Sequence, residues 1–131
     1  MSDLCDKTAI ELRRLIGRKD VSPVELLDSC IARIEATDSA LNAVVTRSFD
    51  RARDEALHAE KAILNGEELG LLHGLPVGIK DLEATDGIRT TLGSKLYSDH
   101  IPNKDQGSVA NIRAEGGIII GKTNTPEFGA G

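Results

Sequence analysis

Two lysines stand where a lysine amine can do chemistry. Lys80 closes the apolar run Leu75-Pro76-Val77-Gly78-Ile79 and is followed by Asp81. A lysine at a strand end ordinarily lays its stem along apolar surface and keeps its ammonium in water. Carried into a dry site by that apolar approach, the amine would lose hydration, its pKa would fall, and its neutral form could accept a proton. Lys122 belongs to Gly116-Gly117-Ile118-Ile119-Ile120-Gly121-Lys122-Thr123, which matches the phosphate-loop pattern G-x-x-x-x-G-K-S/T. A phosphate cradle needs a strand before its first glycine and pliable backbone between the outer two. Here a helix is expected before Gly116, and the interval holds stiff β-branched isoleucines that read as a strand themselves. Pro126 leaves little room for a regular helix running on from Lys122-Thr123. The segment reads as a helix end followed by a buried strand. No nucleotide binding is expected, and Lys122 is assigned no chemical role.

The other reactive side chains read as structural. His58, His73 and His100 show no metal-ligand spacing, and His58 falls on a charged helix face. Ser94 and Ser108 have no base in an informative arrangement beside them. Glu67-Glu68 and the Arg51/Glu55 pair read as solvated surface, the latter an i, i+4 helical contact. Cys5 and Cys30 fit two free thiols in a reducing compartment, with Cys30 packed in an apolar stripe as an inert small hydrophobe. No metal or organic cofactor is implied.

The composition narrows the function classes. Sixteen basic residues against 21 acidic give a net charge of −5, the wrong sign for a general nucleic-acid binder. Phe49, Phe128 and Tyr97 are too few aromatics for a base-stacking platform. No apolar run is long enough to span a bilayer, and the first residues do not read as a signal peptide, so a cytoplasmic location is expected. With 131 residues, 40% hydrophobic and 28% charged, the chain is globular and one domain at most.

The elements that must position these residues divide at the glycines. Of 13 glycines, Gly17 alone precedes residue 66. A helical lead over 1–65 and a strand-and-loop segment over 66–131 follow, because glycine weakens helices and permits tight turns. Thr8-Ala9-Ile10-Glu11 is a capping box, with Leu12, Leu15 and Ile16 inward and Gly17 at the stop. Ser22-Pro23-Val24-Glu25 is a second, reinforced by proline at the first helical position. Leu26, Leu27, Cys30, Ile31 and Ile34 continue it as one stripe. Ala43–Thr46 reads as extended, and a third helix runs from about Asp50 to Leu64, with Ala52, Ala56, Ala59, Ala62 and Ile63 inward. Leu75–Ile79 is a strand, and 105–115 a helix with Val109, Ile112 and Ala110 inward and Gly116 just past its end. Ile118–Ile120 is a strand buried on both faces. Strand, helix-bearing crossover and strand make the fold class α/β.

Leu72-His73-Gly74-Leu75-Pro76-Val77-Gly78-Ile79-Lys80-Asp81 resembles the catalytic-lysine segment of the amidase signature family. Thr90-Thr91-Leu92-Gly93-Ser94, the helix from Asp105, and Gly121-Lys122-Thr123-Asn124-Thr125-Pro126-Glu127-Phe128 follow in that family's order. Ser22-Pro23-Val24-Glu25-Leu26 and Leu41-Asn42-Ala43 match more loosely. The resemblance implies N-terminal helices leading into the first strands of a mixed sheet covered by helices. It implies amide hydrolysis or amide transfer through a Ser–cis-Ser–Lys triad, with Lys80 as the lysine. The glycine- and serine-rich segment that supplies both serines lies further downstream in the family and is not in this sequence. Thr125-Pro126-Glu127 opens a helix with almost no chain after it, so an incomplete domain is expected, inactive alone. The implied partners are a small amide substrate in the complete enzyme, the missing C-terminal part of the same fold and, in a homo-oligomer, a second copy of the chain. A stand-alone amidase, the A subunit of a glutamyl-tRNA amidotransferase and a non-catalytic remnant or interaction module all stay open.

Overall fold

The computed structural model describes residues 3–131. Both capping boxes form. Thr8 accepts from the Glu11 N–H at 3.2 Å and Glu11 Oε2 accepts from the Thr8 N–H at 2.7 Å, which starts α1, Ala9–Gly17. Ser22 and Glu25 do the same at 3.0 Å each way and start α2, Pro23–Leu41. Gly17 is the last helical residue rather than the turn. The left-handed position after α1 is Lys19, φ 66°. The helix α2 outruns its sequence-read stripe by two turns and ends at Asn42, whose φ of 51° is left-handed. Buried Asp38 closes that end: its Oδ1 accepts the N–H groups of Ala43 at 2.7 Å and Val44 at 3.1 Å. The chain thereby turns into β1, Val44–Arg47, and then into α3, Phe49–Leu64. Ala52, Ala56, Ala59 and Ile63 of α3 are buried, while Ala62 is only half-buried.

The second half contributes β2, Pro76–Lys80, then α4, Gly107–Ala114, and β3, Ile118–Thr123. The helix is shorter than the sequence implies, because the Asp105 carboxylate bonds the Asp86 N–H and Arg113 instead of entering the first turn. Ala110 is exposed, leaving Val109 as the buried residue of α4. Gly116, φ 88°, makes the expected left-handed end. The sheet order is β1-β3-β2, with β3 antiparallel to β1 and parallel to β2. It is the mixed, helix-covered sheet that the resemblance implies.

β3 is central and covered on both faces. Ile118 and Ile120 pack on Leu27, Ile31 and the alanines of α3, while Ile119 packs on Ile79, Ile88 and Val109. A further cluster of Leu12, Ile16, Leu26, Ile63 and Leu75 ties α1 to α2, α3 and the entry to β2. The strand is longer than the isoleucine run, taking in Gly121, Lys122 and Thr123. Its register slips at Ile120. Val77 pairs with Ile119 but Gly78 pairs with Gly121, so Ile120 is the extra residue of a bulge. One extra residue reverses the alternation, and Lys122 therefore pairs with Ile79 and joins the face of Ile119. No helix among the described residues is long and apolar enough to cross a membrane.

The bulge depends on a glycine. A Cβ on Gly121 would lie 2.3 Å from the Thr46 carbonyl oxygen in the adjacent strand, where backbone cannot yield cheaply. A Cβ on Gly107, at the start of α4, would meet nothing within 4 Å. Gly121→Ala should cost at least ~2 kcal/mol of unfolding free energy. Gly107→Ala should be neutral or stabilising by up to ~1 kcal/mol. Urea titrations of both variants check the contrast.

Candidate active site

Parallel strands β2 and β3 end side by side at Lys80 and Thr123. The carboxyl ends of strands are where open α/β sheets gather their ligand sites, since the loops there are free to vary. Lys80 is exposed, and among the described residues its amine has no carboxylate within ion-pair distance. The dry environment that Val77-Gly78-Ile79 suggests is not formed by this segment, because Gly78 is exposed as well. The desolvated lysine is the other one.

Lys122 has no exposed surface. Its Nζ donates to the Glu83 carbonyl at 2.7 Å and to Thr90 Oγ1 at 2.8 Å, and lies 3.9 Å from Asp81 Oδ1. Burial pushes its ammonium down to about 8, against the pull of Asp81 and Glu83. Asp81 is equally enclosed, 1% exposed, and also accepts from the Thr91 N–H at 3.0 Å and from the Thr91 hydroxyl. Backbone bonds add to the clamp: Asp81 N–H to Thr123 O at 2.9 Å, and Leu92 N–H to Asp81 O at 2.8 Å. The residue directly after Lys80 is thus held from β3 and from the loop at Thr91-Leu92.

The loop so held is strained. Leu92, φ 58°, and Gly93, φ 68°, are both left-handed. For leucine that conformation costs on the order of 1–3 kcal/mol and persists where surrounding bonds over-determine it. Phe128 N–H supplies one such bond, to Leu92 O at 2.7 Å. A Cβ on Gly93 would lie 2.7 Å from the Pro126 carbonyl oxygen, so the two family-like segments pack backbone to backbone. Between them is an open cavity of about 250 Å³ lined by Asp81, Arg89, Thr91, Ser94 and Thr125, among others. The buried Thr125 hydroxyl has no hydrogen-bond partner among the described residues. A larger open cavity of about 690 Å³ lies between Ala84 and residues 100–107, and neither lysine lines it.

The remaining sequence candidates fall elsewhere. His58 and His73 bond the Asp54 and Ala59 carbonyls at 2.8 and 2.9 Å, and exposed His100 packs edge-on to Tyr97. No cluster able to hold a metal exists among the described residues. Buried Ser94 accepts from the Leu96 N–H at 3.3 Å, and the Ser108 hydroxyl donates to Glu83. Arg51 and Glu55 pair at 3.2 Å as expected, but Glu55 also reaches Arg113 at 3.1 Å, so it is less a solvated surface residue than its spacing implies. Sequence reasoning missed the Lys122–Asp81–Thr91 network. Its available signal was a lysine continuing a strand with no polar alternation.

The fold is shared. The family model for amidases matches residues 25–131, and the chain belongs to that family. It is 43% identical over 129 residues to the A subunit of the glutamyl-tRNA(Gln) amidotransferase from Geobacter sulfurreducens, covering 98% of this chain and 26% of that protein. It is 37% identical over 122 residues to an acylamidase of Rhodococcus erythropolis, covering 93% of this chain and again 26% of the other. The crystal structure of a bacterial aryl acylamidase of the amidase signature family superposes with a TM-score of 0.87 at 35% identity, over 93% of this chain and 26% of that one. The chain spans about a quarter of the length of the relatives it matches.

Two predictions come from Lys122. Its amine is already occupied by protein oxygens of the segment that follows β2, so calorimetry with ATP or GTP and Mg²⁺ should detect no binding. Micromolar binding lost on Lys122→Ala would overturn the reading of this segment as a strand. Lys122→Met should leave the Asp81 carboxylate buried beside an apolar group and cost about 3 kcal/mol in a denaturant titration at pH 7. Asp81→Asn placed on top should recover part of that loss. Because the folded-state value lies near 8 and the ordinary value is 10.5, the unfolded chain holds the Lys122 proton longer as pH rises. Stability should therefore climb between those two values, and that Lys122-dependent climb should vanish in Lys122→Met.

Proposed function

We propose that this chain supplies the lysine of an amide-cleaving or amide-transferring site whose remaining parts lie in the rest of the family's fold. The observation that carries the proposal is the contrast between the two lysines. Lys122 is buried and bonded, whereas Lys80, unpaired among the described residues, stands at the carboxyl end of a parallel strand beside an aspartate fixed by β3 and by the Thr91-Leu92 loop. An amine that must accept and return protons needs a fixed backbone and a free nitrogen, and Lys80 has both.

In the mechanism that the family resemblance implies, a serine hydroxyl attacks the amide carbonyl. Its proton passes through the cis-serine to the neutral Lys80 amine and returns to the leaving nitrogen. Hydrolysis and transfer share this attack and differ in what then accepts the acyl group or the released ammonia. Neither serine of the triad is assigned to this segment. The Asp81 clamp positions Lys80 through the backbone: moving Asp81 by an ångström moves the amine with it, and misplacement on that scale is costly to catalysis. Residues elsewhere in the fold must supply the desolvation that brings the Lys80 amine toward neutrality.

Purified residues 1–131 should release no ammonia from simple amides. In a polypeptide carrying this segment within a complete amidase domain, Lys80→Met should keep the fold and slow acylation roughly a hundred- to ten-thousand-fold. Lys80→Arg should fail equally, because a guanidinium stays protonated at neutral pH. Single-turnover acylation rates and a thermal melt decide the matter, and near-normal turnover by Lys80→Arg would sink the proton-relay role.

A further inference from the structure

The N-terminal turn brings together two sulfurs that lie far apart in sequence. Residues Leu4–Asp6 form a single 3-10 turn laid across α2, and Cys5 Sγ lies 3.8 Å from Cys30 Sγ and 3.6 Å from Ser29 Oγ. The docking is specific. Asp3 Oδ1 accepts from Ser29 Oγ at 2.7 Å and from the Cys5 N–H at 3.0 Å, while Arg33 reaches Asp3 at 2.9 Å and Asp6 at 3.2 Å. Leu4 and Cys30 both edge the cluster built on Leu12, Ile16 and Leu26, so the turn also has an apolar anchor. Both thiols are free and half-buried. The apolar stripe accounts for the burial of Cys30 but not for a second sulfur in van der Waals contact with it.

We propose that Cys5 and Cys30 are a hydroperoxide-oxidisable dithiol that closes to an intramolecular disulfide, stapling the N-terminal turn to α2. A disulfide needs the sulfurs at about 2.05 Å, so less than ~2 Å of motion separates the contact from the bond. That motion falls on a three-residue turn held at an exposed edge, not on the sheet. The order of events follows from the surroundings. Burial, the adjoining Cys5 and the Asp3 carboxylate hold the Cys30 thiol well above its usual range, against the opposing pull of Arg33, so Cys30 stays protonated and Cys5 reacts first. The Cys5 thiolate attacks one oxygen of the hydroperoxide, the O–O bond breaks, and an alcohol or water leaves after protonation. The Cys30 sulfur then attacks the Cys5 sulfenic acid. The S–S bond forms as the S–O bond breaks, and the departing hydroxide takes the Cys30 proton as water. Two thiols are oxidised and one peroxide is reduced, so no further reactant is required.

The test is mass spectrometry of the native chain after brief treatment with hydrogen peroxide and blocking of residual thiols under non-reducing conditions. The expected result is the loss of two hydrogens per chain, no blocked cysteine, a peptide joining Cys5 to Cys30, and no dependence on protein concentration. Pairing should run about tenfold or more faster in the folded chain than in guanidinium chloride, since the fold holds the sulfurs in contact. The oxidised chain should melt roughly 5–10 °C higher than the reduced one, because the closed loop restricts the unfolded state. With Cys30→Ser, the Cys5 sulfenic acid should persist and be captured by dimedone. The proposal is overturned if both thiols remain blockable, if Cys5 passes to sulfinic acid without a cross-link, or if the disulfide joins two chains. The wild-type measurement decides these outcomes even if the serine variant does not fold.

Discussion

A lysine with no contact with water has to find every partner inside the protein, and much of the local architecture follows from that demand on Lys122. An isolated buried ammonium is prohibitively costly, so the fold must bring acceptors to it. The acceptors are the Glu83 carbonyl, the Thr90 hydroxyl and the Asp81 carboxylate, all from the segment that follows β2. Meeting the demand folds that segment back over the end of the sheet. Asp81 then needs partners of its own and takes the backbone and side chain of Thr91. One buried charge has organised both the strand ends and the strained loop at Leu92-Gly93.

The bulge at Ile120 makes this possible. In a regular strand Lys122 would have shared with Ile118 and Ile120 the face that packs against the apolar side chains of α2 and α3. The extra residue rotates it to the Ile79 side, and Gly121 lets the neighbouring strand approach closely enough to keep pairing through the irregularity. Bulges that re-aim a side chain beside a functional site are a recurring device in sheets. Here the side chain re-aimed is structural, and the beneficiary is the adjacent end of β2. The ion pair of Asp81 is made by Lys122, not by Lys80.

The core and the carboxyl end of the sheet differ in the same way. The core clusters are satisfied: helices cover both faces of β3, and α1 is locked onto α2 and α3. The carboxyl end of the sheet is not closed. It presents an exposed Lys80, a shallow cavity and a buried Thr125 hydroxyl without a partner among the described residues. Phe128, Leu96 and Tyr97 are exposed beside it, with Tyr97 and Phe128 edge to face at 6.3 Å. The chain matches about a quarter of its relatives' length.

What the sequence determined by itself was local. The capping boxes at Thr8 and Ser22, the alanine face of α3, the turn glycine Gly116 and the buried isoleucine strand all depend on neighbours within a few residues, and all could be read directly. The ordered motifs around Lys80 and Gly121 carried the family as well. What only the tertiary structure decided depends on pairs far apart in the chain. The register slip at Ile120 is set by how β2 and β1 meet β3; Gly121 signals an irregularity but not which residue is the extra one. That slip sets the face on which Lys122 is buried, while Lys80 keeps its ammonium exposed as a lysine at a strand end ordinarily does. The contact of Cys5 with Cys30 likewise needs a turn to fold back across α2. Helix caps and hydrophobic periodicity are encoded within one or two turns of chain. Burial of a charge and proximity of two sulfurs are properties of which surfaces meet, and those are fixed only when the chain packs.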